Sequence, residues 1–210
     1  MDKPAGSGPV FRGSNPLRGT TFNFQCTICK CTIILKSLKI FNFVTMAINE
    51  LLLKELKAEA EKTKKLLERV PEKSFDWKPH EKSFPLVRLA SHIAELPGWV
   101  SFVLDSEELD FGKYDYKPPV IDTTFDLLQL HDKCVTGAIK SLENASDEEF
   151  SKNWTMKRNE IVFFTRPKIE VLRDFSYYHL YHHSVQLTVY LRLLDVPLPG
   201  VFGPTADEKM

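Results

Sequence analysis

The stretch that most constrains what this chain can fold into is Phe175-Ser176-Tyr177-Tyr178-His179-Leu180-Tyr181-His182-His183-Ser184-Val185-Gln186, set inside a long apolar pattern over residues 168–194. At about 100° per residue, Leu172, Ser176, His179, His183, Gln186, Leu187, Tyr190 and Leu194 share one face of a helix. The pattern predicts that this face points into a core. Two imidazoles one turn apart in a largely apolar stripe are costly to bury without partners, and a metal ion is such a partner. An i,i+4 pair puts two ring nitrogens on one ion, whereas His182 sits about 80–100° off their line, so the spacing selects His179 and His183. The competing reading is a pair of hydrogen-bonded core histidines.

The 210 residues, 43% of them hydrophobic, suffice for one domain with a substantial core. The formal net charge of zero hides an asymmetry. Residues 1–45 hold six of the 28 basic side chains and one of the 28 acidic ones, which leaves 22 against 27, a balance of −5, in the remainder. A mildly acidic body argues against a nucleic-acid surface, which needs clustered Lys and Arg to displace counterions from phosphates. Three of the four cysteines, Cys26, Cys29 and Cys31, lie in the leading segment, and Cys134 stands alone in the body, a usage that suits a reducing cytoplasm and offers no disulfide framework.

Residues 1–45 read as a disordered or non-native leader. The first part is rich in Gly, Pro, Ser and Arg without periodicity, and the apolar run over residues 31–44 is broken by two lysines and too short to cross a bilayer. Cys26-x-x-Cys29-x-Cys31 lacks a matching second cluster for a metal site. Met46, followed at once by an amphipathic pattern, is a candidate internal start, and the domain is expected over residues 46–210.

That domain is predicted to be all-α, a four-helix bundle with long connections and a small β-hairpin before the last helix. The first helix covers residues 47–70 with Ile48, Leu52, Leu56, Ala60, Thr63, Leu66, Leu67 and Val70 as its stripe, Glu59 within that stripe, and Pro71 as its stop. An aromatic-bearing loop follows, with His80 exposed. The second helix starts near Ser83, an N-cap candidate, with Pro85 in its first turn, and presents Leu86, Leu89, Ala90, Ile93, Leu96, Val100, Val103 and Leu104, with a bend after Pro97. His92 lies on its flank and is the candidate third ligand for the pair on the last helix. Residues 106–122 form a long connection. The third helix spans residues 124–144, with Leu128, Val135, Ile139, Leu142 and Asp132 on its face and His131 off to one side. Trp154, a charged turn at residues 157–160 and the β-prone run Ile161-Val162-Phe163-Phe164-Thr165 mark the hairpin. After Leu194 an irregular tail is expected to fold back over the bundle.

The segments "VPEKSFDWKPHEKS", "LASHIAELPGW" and "HLYHHSVQLTVYLRLLDVPLPGVFGPTADE" resemble the DinB/YfiT-like superfamily of small metalloproteins. The resemblance covers most of residues 46–208 and implies a four-helix bundle holding a divalent ion on three histidines, which map to His92, His179 and His183. The family pattern His-Arg-Gly-Gln reads His183-Ser184-Val185-Gln186 here, so the glutamine is kept and the arginine is not.

Three imidazoles leave open coordination positions, the mark of a catalytic rather than a structural ion, and Gln186 is a candidate hydrogen-bonding group behind His183 or a bridge between helices. Imidazole suits zinc or nickel among several metals. The expected function is metal-dependent hydrolysis of a small-molecule substrate, without nucleic acid or membrane. Alternatives are a thiol-dependent S-transferase, a metal-binding module without turnover, and a bundle with merely packed histidines. No acid or base residue is evident beside the ligands. Arg88, Arg173 and Arg192 are the cations that could face an anionic cofactor. The resemblance also implies a homodimer, since Tyr177, Tyr178 and Tyr181 cannot all face inward.

Overall fold

The computed structural model describes residues 46–209, so the expectations for the leading segment and its three cysteines lie outside the described residues. The first helix, α1 (Ile48–Leu67), buries Leu52, Leu56, Ala60, Thr63, Leu66 and Leu67, the stripe expected from its spacing. Each fully buried leucine contributes about 1.5–3 kcal/mol of apolar transfer. The first backbone N–H of α1, on Ile48, has no partner within the helix and donates to Asp147 Oδ1 at 3.0 Å, while Lys64 and Lys65 stand at its negative end. Glu59, partly buried, pairs with Lys62 at 2.6 Å.

The expected second helix is two helices, α2 (Leu86–Glu95) and α3 (Gly98–Leu104). Pro97 lacks the N–H that would continue the ladder, so the chain breaks there instead of bending. Pro85 is the N-cap of α2 with extended backbone, φ −57° and ψ 152°, rather than a first-turn residue, and Ser83 caps nothing. Helix α4 (Thr124–Asn144) begins on a capping box: Thr123 Oγ1 accepts from the Asp126 N–H at 3.1 Å, and the Asp126 carboxylate accepts from the Thr123 N–H at 2.8 Å. Its buried line is Leu127, His131, Ala138 and Leu142; Leu142 is buried as expected, and the other three lie one residue out of phase with the expected line. Asp132 therefore faces solvent, paired with Lys64 at 2.7 Å.

The protein is mostly helical, as expected, and the expected hairpin is extended by one further strand into a small three-stranded sheet. Strands β2 (Asn153–Arg158) and β3 (Ile161–Pro167) form the expected antiparallel hairpin, preceded by the short helix α5 (Asp147–Ser151). Asn159 at its turn adopts φ 52°, a conformation asparagine tolerates better than most residues. Strand β1 (Glu108–Asp110) adds to β2 in parallel. The Asp110 carboxylate accepts from the N–H groups of Gly112 at 2.9 Å and Asn159 at 2.8 Å, which ties the strand end to the hairpin turn. Gly112 permits that approach, since a Cβ there would lie 1.9 Å from Asn159 Oδ1. An aromatic cluster of Trp99, Phe102, Trp154, Phe164 and Phe175, with ring centroids 5.5–6.5 Å apart, fastens the sheet to the helices.

The last helical passage is α6 (Lys168–Leu172), a π-helical turn Arg173–Tyr177, and α7 (Tyr178–Leu193). The extra residue of a π turn shifts the helix phase by one position. Beyond it the buried line is Tyr177, Leu180, Ser184, Leu187 and Leu191, which turns His179 and His183 from the core to its edge. Helix α4 packs on α1, α2 and α3, and α7 packs on α2 and α1. The tail folds back as expected: Asp207 pairs with Arg192 at 2.6 Å and Glu208 with Arg69 at 2.8 Å. Among the described residues no helix is long and apolar enough to cross a membrane.

Candidate metal centre

Packing of α7 against α2 brings His92 onto the pair His179 and His183, one potential ligand atom from each lying within 4.8 Å of the others. His92 Nε2 and His179 Nε2 face each other at 3.4 Å, and the three ring centroids are 4.6–5.0 Å apart. All three rings are half-buried. Of the six histidines these are the three that the sequence singles out, and the fold brings them together.

Burial and the mutual proximity of the rings depress their basicity. His92 falls to about 4, first through burial and then through His183, His179 and the Arg88 guanidinium. His179 falls through burial and the neighbouring His183, against an upward pull from the Phe175 backbone, and His183 falls through burial against an upward pull from Gln186. Neutral rings with free lone pairs are what a cation requires. His183 Nδ1 donates to Gln186 Oε1 at 2.6 Å, so the free lone pair of the His183 ring is on Nε2. Two facing Nε2 atoms at 3.4 Å with a third imidazole beside them fit a divalent cation, and His92, His179 and His183 would hold it.

The remaining candidates separate clearly. Gln186 lies on the exposed side of α7 and bonds His183, so it orients a ring and does not bridge helices. His182 is exposed, its ring 4.8 Å from that of His183, outside the triad. His131, expected off to one side, is buried in α4 away from the cluster. His80 is exposed in its loop, as anticipated. Ser184, in place of the family arginine, is buried.

His92 also lines a cleft of about 400 Å³, within the size range of small-molecule sites. Its walls are Trp99, Phe102, Leu109, Phe111 and Tyr114, and its polar groups beside His92 are Arg88, Glu95 and Tyr116. The Tyr116 hydroxyl donates to Glu95 Oε2 at 2.8 Å, Arg88 Nη2 donates to Tyr116 at 3.4 Å, and Arg88 Nη1 lies 3.7 Å from Glu95. Burial raises the Glu95 carboxyl above its ordinary value, partly offset by Tyr116 and Arg88. Glu95, which the sequence reading did not single out, lines the same cleft as His92. Its signal was available, because Arg88, His92 and Glu95 recur at i, i+4 and i+7 on one helix face. Tyr116 comes from an irregular loop that carries no such periodicity.

No family model matches the sequence, and no curated protein sequence matches it. Solved structures do. A DinB-like protein of Bacillus subtilis, YjoA, superposes with a TM-score of 0.56 at 19% identity, covering 71% of this chain and 96% of that one. A DinB-like protein of Bacillus cereus superposes with a TM-score of 0.56 at 21% identity, covering 74% and 98%. At such identities the likeness is one of architecture, and the fold of this chain is that of the DinB-like proteins.

Proposed function

We propose that the chain is a metal-dependent hydrolase built on a four-helix bundle, in which α1, the α2–α3 pair, α4 and the α6–α7 passage are the four members. His92, His179 and His183 are the ligands of a zinc or nickel ion. The observation that carries the reading is the convergence of three half-buried imidazoles within 4.8 Å, two of them Nε2 to Nε2 at 3.4 Å, beside a cleft large enough for a substrate. A three-histidine set leaves coordination open, and such an ion supplies Lewis acidity and makes water nucleophilic near neutral pH. Gln186 holds the His183 tautomer. Glu95, with its raised carboxyl and its bond to Tyr116, is the group of this chain that takes up and returns a proton in the cleft. A small-molecule substrate and a cytoplasmic setting complete the proposal, the latter in keeping with the free thiol of Cys134.

The S-transferase reading is weaker, because the three arginines that might hold a charged thiol are engaged. Arg88 lies against Glu95 at 3.7 Å, Arg173 against Glu55 at 3.6 Å, and Arg192 against Asp207 at 2.6 Å. Elemental analysis of tag-free protein is expected to give close to one divalent ion per chain. His179→Ala or His183→Ala should lose most of it, and His182→Ala little. Full metal in His179→Ala sinks the site. An activity screen with and without low-molecular-weight thiols then separates the chemistries: thiol-independent hydrolysis lost in His183→Ala supports the hydrolase, and thiol-dependent conjugation lost in the same variant overturns it.

A further inference from the structure

We propose that residues 113–121 form a lid over the cleft beside the histidines, hinged at both ends and latched shut by the Tyr116 hydroxyl on Glu95. The inference deepens the hydrolase reading by naming what controls entry to the same cleft, and it rests on that reading only for what enters. The cleft has a fixed side and a movable one. Arg88, His92, Glu95, Trp99 and Phe102 stand on α2 and α3. Tyr114 and Tyr116, which complete the lining, come from the irregular run between β1 and α4.

How that run is held decides what it can do. At its start the N–H groups of Lys113 and Tyr114 donate to the Asp110 carbonyl at 3.0 and 2.9 Å, and at its end those of Asp122 and Thr123 donate to the Asp126 carboxylate at 3.2 and 2.8 Å. Among the described residues, no backbone group of residues 115–121 is hydrogen-bonded to another backbone group. The Tyr116 hydroxyl ties this middle part to the body: it donates to Glu95 Oε2 at 2.8 Å and accepts from Arg88 Nη2 at 3.4 Å. The Tyr114 ring rests against Phe102, their centroids 5.9 Å apart. Pro118 and Pro119 have no N–H to give and stiffen the run, so it swings on its bonded ends rather than refolding. Tyr116 is 43% exposed and Val120 84%, so little apolar contact opposes the swing. A segment with few buried contacts and a solvated backbone opens at low cost, and here one bond to a carboxylate sets most of that cost. Closing it over the cleft keeps water from the groups inside, and opening it admits a guest and releases Glu95 Oε2.

The test uses the full chain stripped of metal with a chelator, so its outcome does not depend on the metal centre. Limited digestion with chymotrypsin reads the lid, because the enzyme cuts after Tyr114 and Tyr116, and Tyr116→Phe keeps the cleavage site while deleting the latch. Cleavage that follows the open population should speed up roughly tenfold in Tyr116→Phe, the effect of losing one hydrogen bond to a charged group. Cleavage after Phe202, exposed in the tail, should not change. Glu95→Ala, which removes the acceptor, should be cut in the lid as fast as Tyr116→Phe, and Glu95→Gln, which keeps an oxygen acceptor, more slowly than Glu95→Ala. Modification by diethyl pyrocarbonate reads entry: the His92 rate should rise severalfold in Tyr116→Phe, while those of His80 and His182, exposed outside the cleft, stay level. Equal lid cleavage in the native chain and Tyr116→Phe, an equal gain at Phe202, Glu95→Ala cut no faster than the native chain, or an unmoved His92 rate overturns the inference. Metal content, measured separately, decides the fate of the metal centre without reference to these rates.

Discussion

At position 131 an imidazole lies 1% exposed inside α4 with a hydrogen-bond partner for neither ring nitrogen. Nδ1 comes within 3.5 Å of Asp132 Oδ1 but not in bonding geometry, and burial keeps the ring below its ordinary basicity although Asp132 pulls the other way. A group whose folded pKa is depressed below its unfolded value binds fewer protons when folded, so stability rises with pH across the gap. For a histidine that contribution is complete above the unfolded value of 6.5 and is lost as pH falls beneath it. His92, His179 and His183 add to it with the same sign in metal-free protein. The Tm of stripped protein is therefore expected to fall between about pH 7 and about pH 5. His131→Leu, which replaces an unsatisfied polar ring by an apolar group, should hold or raise Tm at neutral pH and flatten part of that slope. A slope identical to that of the native chain would count against the assignment. The burial of His131 was hidden in the sequence because Leu127 and Leu128 are both apolar, so two phases of α4 satisfy the same hydrophobic pattern. The metal ligands escaped this ambiguity, since an i,i+4 pair stays on one side of a helix whatever phase the helix adopts.

At the scale of elements the decisive feature is the π turn Arg173–Tyr177. Leu172 before the turn and Ser176 within it are buried as periodicity requires, and from Tyr177, the last residue of the turn, the buried line runs on through Leu180, Ser184 and Leu187, one residue ahead. Nothing in Arg173-Asp174-Phe175-Ser176-Tyr177 signals the insertion, because the turn is held by a tertiary contact: the Tyr177 hydroxyl donates to the Leu52 carbonyl of α1 at 3.0 Å, 125 residues away in sequence. Burial accordingly pushes the Tyr177 phenol upward, with Glu55 adding to the shift. The same turn explains why His179 and His183 sit half-buried at the edge of the core rather than inside it, and why Gln186 faces outward. Tyr177→Phe keeps the ring and deletes the bond, and it should cost about 1 kcal/mol, the usual net value of a buried hydrogen bond. Urea unfolding should show a lower midpoint at unchanged m. A midpoint equal to that of the native chain would mean that ring packing alone fixes the turn. Other elements were readable where one local rule dominates, as at the stop before Pro71 and the hairpin around Asn159. Strand β1 was not, since three residues, Glu108–Asp110, owe their pairing to β2 alone.

For the whole molecule the phase of α7 has a second consequence. With Leu180, Ser184, Leu187 and Leu191 turned inward, the opposite face presents Tyr178, Tyr181, Val185, Val189 and Leu193 to solvent, each 48–58% exposed. These positions recur at intervals of three and four residues, the spacing of a helix face made for packing, and contiguous exposed apolar surface of this kind marks an interaction site. Of the three tyrosines, Tyr177 points inward and Tyr178 and Tyr181 point outward, so the aromatic excess that suggested an assembly is carried by two. A self-complementary helix face satisfies a two-fold axis, because each copy can lay the same stripe against the other. The expected outcome is a homodimer of the chain in solution at micromolar concentration, read by light scattering coupled to size exclusion. Val185→Glu with Val189→Glu places charges in the middle of the stripe without touching the core, and it should give a monomer whose metal content and Tm stay near those of the parent. A monomeric parent, or a dimer that survives both substitutions, would show that the α7 stripe does not join two copies.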